Sequence, residues 1–416
     1  MRLYPLLTRF ITLLLVAIFV IFNSGYLLTS FAELSLGRFD GDFEHYYGSA
    51  LQFRNGNNPY RSPLNTSLIE HGIIPSTLAL RATNPPALVL LSVPISYLDP
   101  LTAFWTWNAL QLVVFILGAI AFMKSIGAPP PGGHVFIGIV ATCCSYPVLF
   151  HIRHGQTQLL ITGIFMLALA TIRRRPHLAH FLLGVTGSIK LFTLPLALVA
   201  ARHSFRKSPF QPTYLVIFFV GLLILPALAE VCSDEWIHKT YMTDTIPYIR
   251  DFHFTSSQGV SLSFLLFALM NGVLTPQLTI PQIPVSIAVI ATLVILVIYE
   301  ILRNRNPYDP IKGALFTITA CILCSPVAWA HYVVLLYPAL IYLWHESKTT
   351  LSLSPSTVVI LFLMVGTTTG YTPTIPIFST FWGPLIMFAI LFLLTRRSSE
   401  HVLFDRTITA TLERSD

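Results

Sequence analysis

Long apolar runs alternate with short polar breaks along the whole chain. Ten of these runs are expected to cross a membrane as helices: Phe10–Phe31, Leu101–Met123, His134–Phe150, Thr157–Ile172, Pro212–Val231, Ile283–Leu302, Ile311–Leu323, Trp329–Trp344, Pro355–Tyr371 and Phe381–Leu394. Several approach the roughly 20 residues that a spanning helix needs. Three further apolar segments do not fit as simple spans. Pro85–Leu98 and Val260–Leu274 are short, and Ala179–Ala200 holds Lys190 and Pro195 in its middle. Irregular backbone at membrane depth is tolerated only where it lines a protein cavity. These three segments are therefore expected to be re-entrant, interfacial or broken into half-helices, and to form walls of a central site.

Composition agrees with the pattern. The chain is 54% hydrophobic and only 10% charged, which excludes a water-soluble α/β enzyme of this length. The net charge of +7 does not point to nucleic acid, because the basic residues gather at the ends of apolar runs. Placing both termini and the loops near Lys124, Arg173–Arg175, Arg202–Lys207, Arg303–Lys312 and Lys348 in the cytoplasm puts 17 of the 25 Lys and Arg there. Such a bias is what the positive-inside rule predicts. The first run is longer than the core of a signal peptide and reads as an uncleaved span. The fold class is thus an all-α polytopic membrane protein with about 10–13 membrane helices, residues 1–416 forming a single integral membrane domain. Residues 33–84 are expected as a first, helical extracytoplasmic loop, 232–258 as a second, and 396–416 as a cytoplasmic tail. The location expected is the inner (plasma) membrane. Cys321 and Cys324 have CxxC spacing, but inside an apolar run they read as a buried structural pair.

Against this apolar background one polar stretch stands out. Asp40, Asp42, Glu44 and His45 fall within six residues, just after the first span. With the topology above, other unusual residues share their face: Asn84-Pro85-Pro86, His151, Arg153, His154, Gly155 and Gln156, Ser256-Ser257-Gln258-Gly259, and Ser325–Tyr332 with Trp329 and His331. Ionisable residues at membrane depth or at its edge are costly and are functional candidates by default. For single members blander roles compete: a hydrogen-bonded helix end for His331, snorkelling for Lys190, headgroup contact for His151 and Arg153, and a solvated loop face for Asp42. Asp40-Gly41-Asp42 also spells the DxD tripeptide of nucleotide-sugar enzymes. The expected extracytoplasmic placement argues against that use.

Taken in order, Asp42-Phe43-Glu44-His45-Tyr46-Tyr47, Gly56-Asn57-Asn58-Pro59-Tyr60, Asn84-Pro85-Pro86-Ala87-Leu88, Gly155-Gln156, Ile189-Lys190, Ser257-Gln258-Gly259 and Ser325–Tyr332 form a set that resembles the family 87 glycosyltransferases of bacteria. Those are polyprenyl-phosphate-mannose-dependent α-mannosyltransferases with the GT-C membrane fold, and the resemblance covers nearly the full length. It departs at Gln158, where an Asn is common, and at Ser256-Ser257-Gln258, where Asn-Gln-Ser is frequent.

The resemblance implies a sugar donor on polyprenyl phosphate and, as acceptor, a glycan or glycolipid hydroxyl, with membrane lipid as surroundings and no nucleic acid. It places the catalytic aspartate at Asp42, with Asp40 as the alternative. An acceptor hydroxyl is a weak nucleophile and needs a carboxylate base within reach. The departing phosphate needs cations or dipoles, for which Lys190, Arg153 and His331 are the candidates and Arg81 lies further back. Glu44, His45, Tyr46, His154, Gln156, Gln258 and Trp329 are expected around the substrates. No cofactor is expected. The leaving group already carries its phosphate, so a divalent metal is not chemically required, although the Asp40/Asp42 pair leaves room for one. A single displacement would invert the sugar. The competing expectations are a lipid-linked sugar transporter or flippase, and a non-catalytic envelope assembly partner. The first would more often show repeat symmetry, and the second would be favoured by loss of the carboxylates.

Overall fold

In the computed structural model, the structure describes residues 32–33, 39, 41–75, 81–127, 141–205, 212–233, 235–247, 309–325, 330–349, 355–366 and 376–395, with positions 262, 291, 294 and 298. Among them every regular element is a helix. The first polar segment gives α1 (Asp42–Arg54) and α2 (Leu64–Glu70). Next comes α3 (Pro86–Ser92), continued by a 3₁₀ turn at Val93–Tyr97. Its start is set by Pro85 and Pro86, which supply helical φ where no amide donor is needed. Its end at Leu98 confirms that Pro85–Leu98 does not run on as one long helix.

Asp99 caps α4 (Pro100–Ser125) by accepting from the Thr102 amide at 3.1 Å. The buried positions of α4 include Phe104, Trp107, Gln111, Phe115, Gly118 and Phe122, one stripe at three- and four-residue spacing. Then follow α5 (Tyr146–His154), α6 (Gln158–Thr171) and α7 (Pro176–Ile189). Helix α7 stops at Lys190, whose backbone is extended. A 3₁₀ turn over Leu191–Leu196 leads into α8 (Ala197–Phe205). Of the outcomes expected for Ala179–Ala200, the structure shows a break, at Lys190. Pro195 cannot donate to a continuing helix, which gives the break its physical cause.

Helix α9 (Thr213–Val231) precedes a short α-to-π stretch, α10 (Ile237–Thr240) with Tyr241–Thr245. The chain resumes with α11 (Pro310–Cys324), a 3₁₀ segment at Ala330–Leu336, α12 (Tyr337–Thr349), α13 (Pro355–Gly366) and α14 (Pro376–Thr395).

Two expected spans are not continuous. The run His134–Phe150 is interrupted at Cys144 and Ser145 ahead of α5, and the described part of the run Trp329–Trp344 is 3₁₀ from Ala330 and becomes α-helical only at Tyr337. Each α-helical part carries a proline at its second position, Pro147 and Pro338. A proline there cannot give the amide that would join its helix to the preceding turn. The expected spans at Phe10–Phe31 and Ile283–Leu302, and the short Val260–Leu274, lie wholly or almost wholly outside the described residues.

Among the described residues two helices, α4 and α9, are long and apolar enough to cross a membrane by themselves, and α6, α11 and others are shorter apolar helices. Helix α9 points Val216, Phe219, Val220, Leu223 and Leu228 outward. An exposed apolar face of this extent suits lipid rather than water. Its inward face passes α7 at very short range. A Cβ on Gly184 would lie 2.0 Å from the Phe218 carbonyl oxygen, and one on Gly221 would lie 2.1 Å from that of Phe181. Helices α4 and α6 cross in the same way through Gly118 and Gly163. Glycine at such crossings is what lets backbones pack closely in the absence of a hydrophobic drive between helices.

Helix α11 is buried on every side from Gly313 to Cys324 and forms the axis of the core. At its start Asp309 accepts from the Ile311 amide, from Arg173 at 3.1 Å and from the Tyr342 hydroxyl at 3.0 Å. This polar knot lies beyond the C-terminal end of α6. Another polar cluster gathers at the other end of α6, roughly 20 Å away by its 1.5 Å rise per residue.

Candidate active site

The cluster begins where α1 begins. Gly41 precedes the helix with φ 68°, and Asp42 is its first residue, part exposed. The next ring, Phe43, is fully buried against Phe39, Tyr47 and Phe104 at centroid separations of 5.1 to 5.6 Å. This aromatic packing fixes the direction in which the α1 N-terminus points. That terminus rests on the end of α5. A Cβ on Gly41 would touch the His154 ring at 3.4 Å, and one on Gly155 would strike the Phe43 Cβ at 2.7 Å.

Helix α5 is closed by Gly155, which has φ 59°. Its amide and that of Gln156 return to the carbonyls of Ile152 and His151 at 3.1 Å. A left-handed residue at this position is the usual way to stop a helix and is easiest for glycine. Trp107 of α4 donates from Nε1 to the Gly155 carbonyl at 2.9 Å, holding the turn in place. Gln156 then accepts from the Tyr46 hydroxyl at 3.3 Å. Burial, and after it the charge of Asp42, pushes the Tyr46 phenol far above its usual range, so the group stays a neutral donor.

Tyr46 also lies within electrostatic reach of Tyr332. The Tyr332 ring carries the ammonium of Lys190, whose Nζ is 5.7 Å from its centroid. Cation–π contact of this kind holds a lysine over an aromatic face. His331 neighbours Tyr332, stacks on Phe150 with an interplanar angle of 8°, and lies within electrostatic reach of Lys190, His151 and His154. The rings of Phe150 and His154 stack in turn at 4.0 Å. Thus the first turn of α1, the last turn of α5, the break at Lys190 and the 3₁₀ segment at Ala330–Leu336 converge at one end of the bundle.

The expected site residues divide as follows. Asp42, Tyr46, His154, Gln156, Lys190 and His331 are brought together. Glu44 is buried in the same helix. His45 turns to the neighbouring loop and donates from Nδ1 to the Arg81 carbonyl at 2.9 Å. Burial pushes the His45 ring below its usual value, against the opposing effects of the Asp42 charge and of this hydrogen bond. The Arg81 side chain itself is exposed. Arg153 forms an ion pair with Glu33 at 2.5 Å. Asp40, Gln258 and Trp329 lie outside the described residues.

Two contributors had no role of their own in the sequence reading. Tyr332 closes the Ser325–Tyr332 motif and joins the lysine to the α1 end, a use that its place in an apolar run hid. Trp107 pins the Gly155 turn, and a lone tryptophan in a spanning helix gives no signal of such a task. The two polar segments also dock on each other. Asn58 donates to Glu235 at 2.9 Å and to the Thr240 hydroxyl at 3.2 Å, while the Tyr60 and Tyr241 rings meet at 5.3 Å. This contact holds the loop that follows α1 over the same end of the molecule.

The sequence model of glycosyltransferase family 87 matches residues 82–326, more than half of the chain. No curated protein and no solved structure matches it.

Proposed function

The chain belongs to glycosyltransferase family 87, and from that premise we propose that this membrane glycosyltransferase moves a hexose, mannose in the first instance, from polyprenyl phosphate to a hydroxyl of a glycan or glycolipid. The transfer takes place on the extracytoplasmic face of the inner (plasma) membrane, with both termini of the chain in the cytoplasm. One juxtaposition carries this reading. The Asp42 end of α1 and the Lys190 break meet across Tyr46 and Tyr332, which sets a carboxylate and a cation at the same end of the fold.

In the reaction, the Asp42 carboxylate takes the proton of the acceptor hydroxyl. The freed oxygen bonds to the anomeric carbon while that carbon's bond to the phosphate oxygen breaks. The polyprenyl phosphate leaves with the electron pair, and Lys190 and His331 stabilise its charge. Attack opposite the leaving group inverts the sugar. Asp40 is held as a supporting carboxylate, with Glu44, His45, His154, Gln156, Gln258 and Trp329 around the sugars. Arg153, paired with Glu33, is the third cation held for the phosphate. The phosphate is already part of the leaving group, so the chemistry calls for no divalent ion.

The test is transfer of labelled mannose from polyprenyl-phosphate mannose by purified protein, with and without EDTA. Asp42→Asn should lower the rate by roughly 10²- to 10⁴-fold, the worth of a general base, with folding unchanged. Full activity of Asp42→Asn removes the base assignment. Transfer from a nucleotide sugar instead removes the donor class.

A further inference from the structure

His151 stands in the last full turn of α5. Its side chain is completely buried, and neither ring nitrogen has a hydrogen-bond partner among the described residues. The same corner holds a second case. Gln158, the first residue of α6, is completely buried with both amide atoms unpartnered among the described residues. Buried polar groups are nearly always paired, and each exception calls for an explanation. Here the surroundings supply one, because Lys190 and His154 lie within electrostatic reach of the ring, and His331 senses it in turn.

A neutral imidazole carries one N–H donor and one lone-pair acceptor. A second positive charge beside Lys190, away from water, is strongly disfavoured. The ring therefore needs two kinds of partner at once: an acceptor for its N–H and a donor for its lone pair. A bare phosphate dianion offers only the first. A glycosyl phosphate offers both, oxygens on the phosphate and hydroxyls on the sugar joined to it.

We propose that His151 binds the donor at the junction of sugar and phosphate, its N–H on a phosphate oxygen held by Lys190 and its other nitrogen accepting from a sugar hydroxyl. The assignment rests on the reading of the donor as a polyprenyl-phosphate sugar. It makes His151 a specificity residue that separates the loaded donor from the spent polyprenyl phosphate. This fits what the enzyme must do, which is to bind the first and release the second.

The experiment measures the affinity of purified protein for polyprenyl-phosphate mannose and for polyprenyl phosphate, together with the KM of each substrate. Wild type should hold the mannose-bearing lipid more tightly. His151→Phe should weaken it roughly ten- to hundredfold, the worth of one or two hydrogen bonds to a charged group, and should shrink the preference over polyprenyl phosphate. The acceptor KM should stay within about twofold. His151→Gln, which keeps a donor and an acceptor, should recover most of the loss.

A His151→Phe protein with wild-type affinity and preference overturns the assignment while leaving the donor class intact. A wild type that binds neither lipid overturns both. Should His151→Phe fail to fold, the ¹⁵N resonances of His151 in wild type decide the matter. They should move on addition of polyprenyl-phosphate mannose, and no movement at saturating lipid overturns the proposal.

Discussion

Replacing Gly155 by alanine tests the junction that aims Asp42. Two separate costs apply. The residue has φ 59°, a conformation that costs a non-glycine residue roughly 1–2 kcal/mol. The added Cβ would also lie 2.7 Å from the Phe43 Cβ. Phe43 cannot give way easily, because Phe39, Tyr47 and Phe104 enclose its ring. Forcing a methyl into such packing costs about 1–3 kcal/mol, so the two together come to roughly 2–5 kcal/mol.

Gly72 provides the control, with φ 78° and nothing within 4 Å of an added Cβ. Gly72→Ala should carry the backbone cost alone. Thermal unfolding of both variants in the same detergent should therefore show Gly155→Ala falling about twice as far as Gly72→Ala or further. Transfer should separate them more sharply still. Relief of the clash moves Phe43, and Asp42 with it. A displacement near 1 Å costs on the order of a hundredfold in rate, whereas Gly72→Ala should stay close to wild type. If the two variants match in both stability and transfer, the contact between α1 and the α5 turn does not position the carboxylate.

The helix crossing behind the site makes a second stability test. Gly184→Ala places a methyl 2.0 Å from the Phe218 carbonyl oxygen, while at Gly187 the nearest atom is a mobile Leu222 methyl at 3.0 Å. Gly184→Ala should therefore destabilise the fold by about 1–3 kcal/mol of overpacking, and its melting temperature should fall clearly further than that of Gly187→Ala. His45 makes a pH test. Burial holds its folded pKa below the ordinary imidazole value of 6.5, so the unfolded chain takes up the proton first as pH falls. Stability is unaffected above that value and declines as pH drops from 6.5 toward the folded value. Melting curves at neutral pH and at about pH 5 should show wild type losing more than His45→Gln, and equal losses would refute the assignment.

Much of the scaffold was legible because membrane helices advertise themselves by length and apolarity. Leu101–Met123 became Pro100–Ser125 and Pro212–Val231 became Thr213–Val231, since Asp99-Pro100 and Pro212 mark entries in a way that local chemistry dictates. The break at Lys190 was legible for the same reason, a charge and a proline in one apolar run. The interruptions before Tyr146 and before Tyr337 were not. Apolarity reports that a segment is buried or in lipid, but it does not report whether its backbone is α-helical or 3₁₀. Pro147 and Pro338 were present in the sequence, yet proline is tolerated in membrane helices when neighbours restore the lost hydrogen bonds.

The candidate site lies where helices fail. Gly41 starts α1, Gly155 ends α5, Lys190 ends α7, and Ala330–Leu336 is 3₁₀ before α12. Each break frees backbone groups and frees side chains from a helical face, which in a low-dielectric interior is tolerable only where other protein covers them. Breaks therefore gather, and polar residues gather with them. A sequence displays every break singly, as a glycine, a proline or a stranded charge. It does not display which breaks share an end of the bundle, because that depends on contacts such as Gly155 on Phe43 and Lys190 on Tyr332, across separations of more than 100 residues. The residues most readily chosen from sequence were the charged ones, Asp42 and Lys190. Those that bring the charges together are uncharged, Gly155, Trp107, Tyr46 and Tyr332. Substitutions at this second group should thus impair transfer without removing any reacting group, and Gly155→Ala is the member of it whose effect the geometry fixes best.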